Sequence, residues 1–253
     1  MKKLLFVILV CAIAAVANAA EIRYMGSGPW ETAANWVGGV MPGGADAARM
    51  NWGNNTVTVS SVVPTVVQVQ AGVDEGGTLH ILAGGVVTTY DWAGPGVAGA
   101  CTGIFNIDAG GTMNIGGHLW VGSGGAGNVG IANISGVVNV GGIIGLGTIN
   151  AGTASGGRGA VHVLDGGVLN LSNIHNLGYS IFPGSILTVT GSGLVTLPGD
   201  FVDVVQAYID AGKIIGSVEA VYTGEIITQT NIVPEPITLS LLGLGALLLR
   251  KRS

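Results

Sequence analysis

Few residues of this chain have types and spacings that could do metal or acid–base chemistry. His80 and His162 occupy equivalent places in two copies of a repeat, which would suit a metal ion only if they lay close together. Three repeat units separate them, so at ~4.8 Å per unit they lie about 14 Å apart, too far to share an ion. His118 and His175 have no cysteine or acidic residue at ligand spacing. We therefore expect solvated strand histidines, no metal site and no cofactor.

The acidic and nucleophilic residues also lack catalytic partners. Asp108 and Asp165 precede glycine turns, where a carboxylate satisfies backbone groups of the turn. A polysaccharide lyase or glycosidase would need clustered acids or a close carboxylate pair, often with an outward basic residue. Arg158 is the only basic residue of the repeat region, and Cys101 has no histidine nearby to activate it. The sequence predicts a protein that is not an enzyme.

The composition narrows the class of protein. The chain has 253 residues, of which 46 are glycine, 48% are hydrophobic and 9% are charged. So much glycine would weaken a helical bundle, the low charge is atypical of a mixed α/β enzyme, and the apolar content is too high for a disordered chain. Glycine does not recur at every third position, which excludes collagen. The class of protein that remains is a β-fold with glycine at its corners.

A repeated phrase organises the middle of the chain. Two apolar residues alternate with polar ones and are followed by a glycine turn. Measured at the last glycine of each copy, the copies are spaced by 26, 25, 31 and 26 residues. A period of this length indicates a solenoid. The copies are Leu79–Gly85, Phe105–Gly111, Ala132–Gly136, Val161–Gly167 and Leu187–Gly193.

Each phrase predicts a strand with one buried and one solvent-facing side, because its apolar residues alternate with period two. A second short strand follows the glycine turn, as in Met113–Ile115 and Val138–Val140, and a third stretch such as Leu119–Val121 completes the unit. The predicted inward residues of the phrases are Leu79, Ile81, Phe105, Ile107, Ala132, Ile134, Val161, Val163, Leu187 and Val189.

Three short strands per unit of about 26 residues predict an all-β fold, a right-handed, single-stranded parallel β-helix. Glycine would occupy the corners, and Val, Ile and Leu would stack inside. An antiparallel β-sandwich is the main alternative. It would explain the alternation and the turns, but not the recurrence of one strand–turn–strand phrase.

Two outward columns of uncharged polar residues follow from aligning the repeats. Such columns could line a polysaccharide; alternatively, Asn and Thr are simply tolerated in stacked parallel strands. One column comprises Thr88, Asn114, Asn139, Asn170 and Thr196; the other comprises His80, Asn106, Asn133, His162 and Thr188. The candidate glycan-facing residues are Asn106, Asn114, Asn133, Asn139 and Asn170.

The N-terminus has the pattern of a secretory signal. Two lysines precede an apolar run of about 13 residues, which is too short for an ordinary membrane span of about 20. Small residues then mark a cleavage site, with Ala17 and Ala19 before the cut and Ala20 after it. We therefore expect residues 1–19 to be a helical signal peptide that directs export.

The C-terminus combines a proline motif, a short apolar run over 237–249 and a basic cluster. This order closely resembles the PEP-CTERM sorting signal of bacterial exported proteins. The resemblance implies recognition by an exosortase-type membrane protease and transient anchoring in the inner membrane through a hydrophobic helix. The residues that carry it are Val233, Pro234, Glu235, Pro236, Arg250, Lys251 and Arg252.

The segments beside the repeats fit the same resemblance. Asp200 is placed as the N-cap of an amphipathic helix that Gly212 would end, and this short helix would cap the stack. Trp30, Asn35-Trp36, Pro42 and Asp46 resemble the Trp-rich opening of PEP-CTERM β-helix proteins and of autotransporter-like passenger repeats. The repeat region itself resembles autotransporter-like and pectate-lyase-like β-helices.

The charge of the exported part excludes a nucleic-acid partner. Residues 20–234 carry four basic residues against thirteen acidic ones, a formal charge of −9, whereas phosphate binding needs clustered Lys and Arg. The expected organisation is a signal peptide at 1–19, a Trp-rich opening at 20–56, β-helix repeats at 57–199, a capping helix and closing segment at 200–232, and a sorting signal at 233–253.

These observations predict a non-catalytic, exported β-helix protein at the cell surface or in the extracellular polymeric matrix, such as that of a biofilm. It would act as a structural or adhesive module, with extracellular polysaccharide as a candidate partner. The alternative is a degenerate polysaccharide-acting enzyme of the lyase or glycosidase type, or a carbohydrate-binding module.

Overall fold

The protein is described by a computed structural model that covers residues 20–150, 153–175 and 179–235. Half of the chain is strand and 6% is helix, and the parallel strands wind into a β-solenoid of about seven turns. The predicted parallel β-helix is therefore confirmed, and the repeats do not form an antiparallel sandwich.

Among the described residues, the first half of the chain forms eleven strands and one 3-10 helix, Ala33–Asn35. The strands are β1 (Glu21–Arg23), β2 (Gly28–Pro29), β3 (Ala47–Met50), β4 (Asn55–Val59), β5 (Gln68–Ala71), β6 (Gly77–Ile81), β7 (Val86–Thr89), β8 (Ala93–Pro95), β9 (Thr102–Ile107), β10 (Thr112–Ile115) and β11 (Leu119–Val121).

The second half adds eleven strands and the α-helix. They are β12 (Val129–Ile134), β13 (Val137–Leu146), β14 (Thr148–Asn150), β15 (Thr153–Ala154), β16 (Arg158–Val163), β17 (Val168–Asn173), β18 (Ile186–Val189), β19 (Leu194–Pro198), α1 (Val202–Asp210), β20 (Ile214–Ile215), β21 (Ser217–Thr223) and β22 (Ile226–Val233).

The solenoid has three sides, as the three-strand repeat predicts. The first side stacks β1, β3, β5, β8, β11 and the C-terminal part of β13. The second side stacks β2, β4, β6, β9, β12, β16, β18 and β20. The third side stacks β7, β10, the N-terminal part of β13, β17 and β19. All of these pairings are parallel, so each turn of the chain rests on the one before it.

The core runs along the inside of the stack, and all ten predicted inward residues of the phrases are buried. Each buried aliphatic side chain contributes about 1.5–3 kcal/mol, which offsets the entropy lost on ordering the chain. Register places equivalent positions over one another. The longest inward column of the second side is Val57, Leu79, Phe105, Ala132, Val161, Leu187 and Ile214.

The two glycines of a corner are required for different physical reasons, as Gly166 and Gly167 illustrate. Gly166 has φ +72°, a left-handed conformation that costs other residues strain. Gly167 has no such φ, but a Cβ there would lie 2.1 Å from the carbonyl oxygen of Ile134 one turn below. The first glycine therefore makes the turn and the second lets adjacent turns approach.

An aromatic cluster closes the N-terminal end. Tyr24, Trp30 and Trp36 are fully buried, and the ring of Trp36 meets each of the other two edge to face with centroids 4.8 Å apart. The indole N–H of Trp36 donates to the carbonyl of Trp30 at 2.7 Å. Parallel stacking already begins at β1, within the 20–56 segment that the sequence assigned to an opening region.

Helix α1 packs against the C-terminal end of the core as the amphipathic helix that the sequence predicted, with Val205 and Tyr208 buried. The N-cap position is held by Phe201 rather than Asp200, although the Asp200 carboxylate accepts a hydrogen bond from the Val202 N–H at 3.2 Å. Gly212 follows the helix with φ +66° and donates to the carbonyl of Ile209, as a helix-terminating glycine does.

The sequence did not predict the antiparallel hairpin that follows α1. Strands β21 and β22 pair antiparallel, and β22 also runs antiparallel to β19. The closing segment is therefore a hairpin added to the edge of the third side. It ends at Val233, where the sorting motif begins.

Candidate functional site

The predicted column of the third side is a hydrogen-bonded ladder of side chains. Register places Thr88, Asn114, Asn139, Asn170 and Thr196 next to one another on successive turns. The Nδ2 of Asn139 donates to the Oδ1 of Asn114 at 2.8 Å, and the Nδ2 of Asn170 donates to the Oδ1 of Asn139 at 2.7 Å. Thr196 donates to Asn170 at 2.7 Å, and Asn114 makes a longer contact of 3.4 Å with Thr88. These five residues are called the asparagine ladder below.

The ladder is held in place from inside the solenoid. Each Asn stands between two inward apolar residues of its strand, such as Val138 and Val140 on either side of Asn139, and these are buried. Because the backbone is fixed by parallel pairing on both sides, the amides repeat at the strand spacing of about 4.8 Å. The ladder is thus a rigid row of uncharged donors and acceptors.

An open groove of about 510 Å³ runs beside the ladder. Its floor includes Gly116 and Gly141, the positions two residues after Asn114 and Asn139. A Cβ at Gly141 would lie 2.4 Å from the carbonyl oxygen of Gly116, so close stacking of the turns keeps this floor free of side chains. Thr228 and Gln229 of β22 contribute to the C-terminal end.

The predicted column of the second side is also in register, running from His80 through Asn106, Asn133 and His162 to Thr188. Asn133 donates to Asn106 at 2.9 Å, and His162 Nδ1 lies 2.8 Å from the Thr188 hydroxyl. Burial lowers the pKa of His162. Three strand pairings separate the two histidines, as the repeat spacing implied.

The two aspartates before the glycine corners bond across turns. Asp165 accepts hydrogen bonds from the hydroxyl and the backbone N–H of Ser192, at 2.6 and 2.9 Å, and these bonds lower the pKa of its carboxyl. Asp108 lies 2.9 Å from Nε2 of His80 on the preceding turn, a pairing that the sequence analysis missed. Asp165 therefore ties two neighbouring corners together, and Asp108 ties its corner to strand β6 of the preceding turn.

The other candidates for chemistry are engaged in local structure. His118 Nδ1 accepts a hydrogen bond from the Ile143 N–H at 3.1 Å. Burial raises the pKa of the Cys101 thiol, whose Sγ lies 2.9 Å from the carbonyl of Ala98. Within the described ranges, no group of three or more His, Cys, Asp or Glu residues could hold a metal ion.

A charged cluster at the N-terminal end of the first side was not anticipated. Arg23 pairs with Asp74 at 3.1 Å, Arg49 pairs with Glu21, and the two arginines are neighbours in register. Little in the sequence indicates this cluster, because Arg23 and Asp74 lie far apart along the chain. Their charges neutralise one another in pairs.

An aromatic platform on the same side was also missed. Trp120 points outward between Gly94 and Gly145, and a Cβ at Gly145 would lie 2.3 Å from its ring. The His118 ring lies beside it, with centroids 5.2 Å apart. The rings lie over glycines of the next turn, so the glycines in β13 make room for them.

The sorting residues fall partly within the described chain. Val233 ends β22 and pairs with Ser217, and Pro234 and Glu235 follow it. Ala20 accepts a hydrogen bond from the Ala47 N–H at 2.8 Å. Outside the described residues lie Ala17, Ala19, Pro236, Arg250, Lys251 and Arg252, together with the apolar run 237–249. In the part that is described, no helix is long and apolar enough to cross a membrane.

Comparisons with known proteins gave no match for this chain, whether it was compared with family models, with curated proteins or with solved structures.

Proposed function

We propose that this protein is a non-catalytic, exported β-solenoid that acts as a structural or adhesive module at the cell surface or in the extracellular polymeric matrix. In this proposal a PEP-CTERM-type signal delivers it. The apolar run 237–249 holds the chain transiently in the inner membrane, and an exosortase-type protease cuts at or near Val233 to Pro236.

The observation that carries the proposal is the asparagine ladder. It presents amide and hydroxyl groups that are already ordered by bonds to their neighbours, such as the 2.7 Å bond from Asn170 to Asn139. A surface that is ordered before contact loses little conformational entropy when it meets a partner. A rigid, uncharged and regularly spaced surface suits adhesion to a repeating polymer.

The position of the sorting motif supports the delivery route. The last strand ends at Val233, and it is paired on both sides, with β19 and with β21. A cut within the motif would therefore leave every strand of the solenoid in place. In this proposal the residues after the cut are not needed for the fold once the protein has been released.

The alternative is a degenerate polysaccharide-acting enzyme. Its best support is the cluster of Arg23, Arg49, Glu21 and Asp74, which gathers acids and bases on one outward side. These groups are paired with one another, and they lie on β1, on β3 and just after β5, at the opposite end of the solenoid from β19 and β22. The groove beside the ladder is lined by uncharged residues instead.

Fractionation of producing cells, with mass spectrometry of the native C-terminus, tests the proposal. We expect the mature protein at the surface or in the matrix, ending at or near residues 233–236. Glu235→Ala should remain in the membrane fraction with its tail intact, whereas Glu225→Ala, an acid of the hairpin turn, should be sorted normally. An intact tail on matrix protein, or wild-type protein confined to the cytoplasm, would refute the delivery route.

A reducing-end assay on the isolated matrix polysaccharide separates the module from the enzyme. The purified mature protein should stay with the polysaccharide on sedimentation and release no new reducing ends. Release that disappears in Asp74→Asn but persists in Asp91→Asn would favour the enzyme.

A further inference from the structure

The groove beside the asparagine ladder has the features of a binding site for an extended chain. It follows the solenoid axis, because its lining residues recur on successive turns from Thr88 to Thr196. Five turns contribute, so four spacings of ~4.8 Å give a length of about 19 Å. A ligand of this shape would run across the strands.

The floor of the groove changes character along its length. The lining residues Gly116, Gly141, Ser172 and Pro198 each stand two residues after their ladder residue. A Cβ at Gly116 would lie 2.5 Å from the carbonyl oxygen of Tyr90 on the preceding turn, so the turns are closely stacked here. The Ser172 hydroxyl donates to the carbonyl of Val140 at 2.9 Å, so it lies along the floor. The floor is therefore lowest at Gly116 and Gly141, which carry no side chain.

Tyr90 does not line the groove, although it directly follows Thr88 and Thr89, which do. Its side chain is 66% exposed, and its Cε2 atom would lie 3.9 Å from a Cβ at Gly44, in the segment before β3. None of the described residues that line the groove is aromatic. The groove therefore offers hydrogen-bonding groups rather than a stacking surface.

The ladder leaves hydrogen-bonding capacity toward the groove. An asparagine amide has two N–H donors and two acceptor lone pairs. Among the described residues, Asn139 uses one donor on Asn114 and one lone pair on Asn170. One donor and one acceptor remain on each central amide. A hydroxyl group, which also donates and accepts, is complementary to such a pair.

The charge and the backbone exclude other ligands. None of the described residues that line the groove is charged, so neither an acidic polymer nor a basic one finds a counter-charge there. A peptide strand would add to a free sheet edge, but the N–H and C=O groups of β10, β13 and β17 are already used in pairing on both sides.

We propose that this groove binds a short stretch of a neutral, extended polysaccharide, lying along the solenoid axis beside the asparagine ladder. The proposal rests on the proposed function, since it names the polymer to which the module adheres. The central amides bond to the hydroxyls of successive sugar residues, and Thr228 and Gln229 contact the end of the stretch that lies nearest the hairpin.

Isothermal titration calorimetry of the mature protein tests this proposal. The probes are neutral hexasaccharides of glucose, mannose and galactose, the neutral polysaccharide fraction of the producing cells, and hexagalacturonate as an acidic comparison. We expect binding of at least one neutral probe and at least tenfold weaker binding of hexagalacturonate. Absence of binding to every neutral probe, or equal binding of the acidic one, overturns the proposal.

Two pairs of variants locate the site. Asn139→Ala should weaken binding about tenfold through loss of its hydrogen bonds. Asn133→Ala, which removes an equivalent ladder bond on the second side, should leave binding unchanged. Gln229→Ala, at the hairpin end of the groove, should weaken binding about threefold, whereas Gln206→Ala removes a glutamine of α1 outside the groove and should have no effect.

The outcomes separate the two proposals. Equal effects of Asn139→Ala and Asn133→Ala, or unchanged binding in Gln229→Ala, would overturn the groove as the site even if the protein is found in the matrix. Binding with the predicted variant pattern by a protein that never leaves the cytoplasm would overturn the proposed function and leave the groove assignment standing.

Discussion

Two neighbouring positions in the core compensate for each other in size. Phe105 is the largest residue of the inward column on the second side, and the residue stacked on it in the next turn is Ala132. Both are 1% exposed. The double substitution Phe105→Leu with Ala132→Val should therefore cost less than the sum of its parts.

The magnitudes follow from the packing. Truncating a buried phenylalanine to alanine costs about 3–5 kcal/mol, so the smaller change Phe105→Leu should cost about 1–2 kcal/mol. Ala132→Val alone adds two carbons beneath a full-sized ring and should cost about 1–3 kcal/mol. In the double variant the added methyls enter the space left by the ring, so we expect a favourable coupling of about 1–2 kcal/mol.

Urea denaturation of the mature protein measures this coupling, followed by far-UV circular dichroism and by the fluorescence of the buried Trp30 and Trp36. The control pairs Phe105→Leu with Val195→Ala on the third side, three turns further along, where the two losses should add within about 0.5 kcal/mol. Additive losses for Phe105→Leu and Ala132→Val would show that the two side chains do not share one space, contrary to the register described above.

Three further predictions concern the corner, the cap and an outward histidine. Gly167→Ala should destabilise by several kcal/mol because its Cβ would meet the Ile134 carbonyl, whereas Gly166→Ala should cost only about 1–2 kcal/mol for its left-handed φ; equal losses in urea denaturation would contradict this. Tyr208→Phe should cost about 1–3 kcal/mol, because the hydroxyl accepts from the buried Ser180 N–H at 3.0 Å; an unchanged melting temperature would contradict it. The lowered pKa of His162 means that the unfolded state binds its proton first, so stability should fall as the pH drops below about 6.5; His162→Gln should lose less stability than wild type between pH 7 and pH 5 in urea titrations.

The repeating part of the fold can be predicted from the sequence for a physical reason. Each corner needs glycine and each strand alternates, so copies such as Leu79–Gly85 and Val161–Gly167 can be aligned residue by residue. That alignment gives the inward residues and the register of the asparagine ladder. Interactions between equivalent positions are thus predictable from the sequence alone.

What was missed depends on contacts that do not repeat. Strands β21 and β22 carry no copy of the repeated phrase, so aligning the repeats gives neither a partner nor a direction for them. The ion pair of Arg23 with Asp74 joins distant segments. The groove could not be anticipated from the sequence. Its floor is open because Gly116 and Gly141 have no side chains, and one of its ends is formed by the hairpin that the sequence did not predict.

The hairpin of β21 and β22 has a consequence for self-association. A stack of parallel strands can in principle be lengthened by the first strand of another copy, since its last strand presents unsatisfied backbone groups. Here β22 covers the edge of β19 in the antiparallel direction, and β21, the outermost strand of the third side, lies antiparallel to β22 and so runs in the direction of β19. Glu219 places an exposed charge on β21, and a charge on an edge strand discourages the addition of another strand. The hairpin therefore separates the parallel stack from a second copy at this end of the third side.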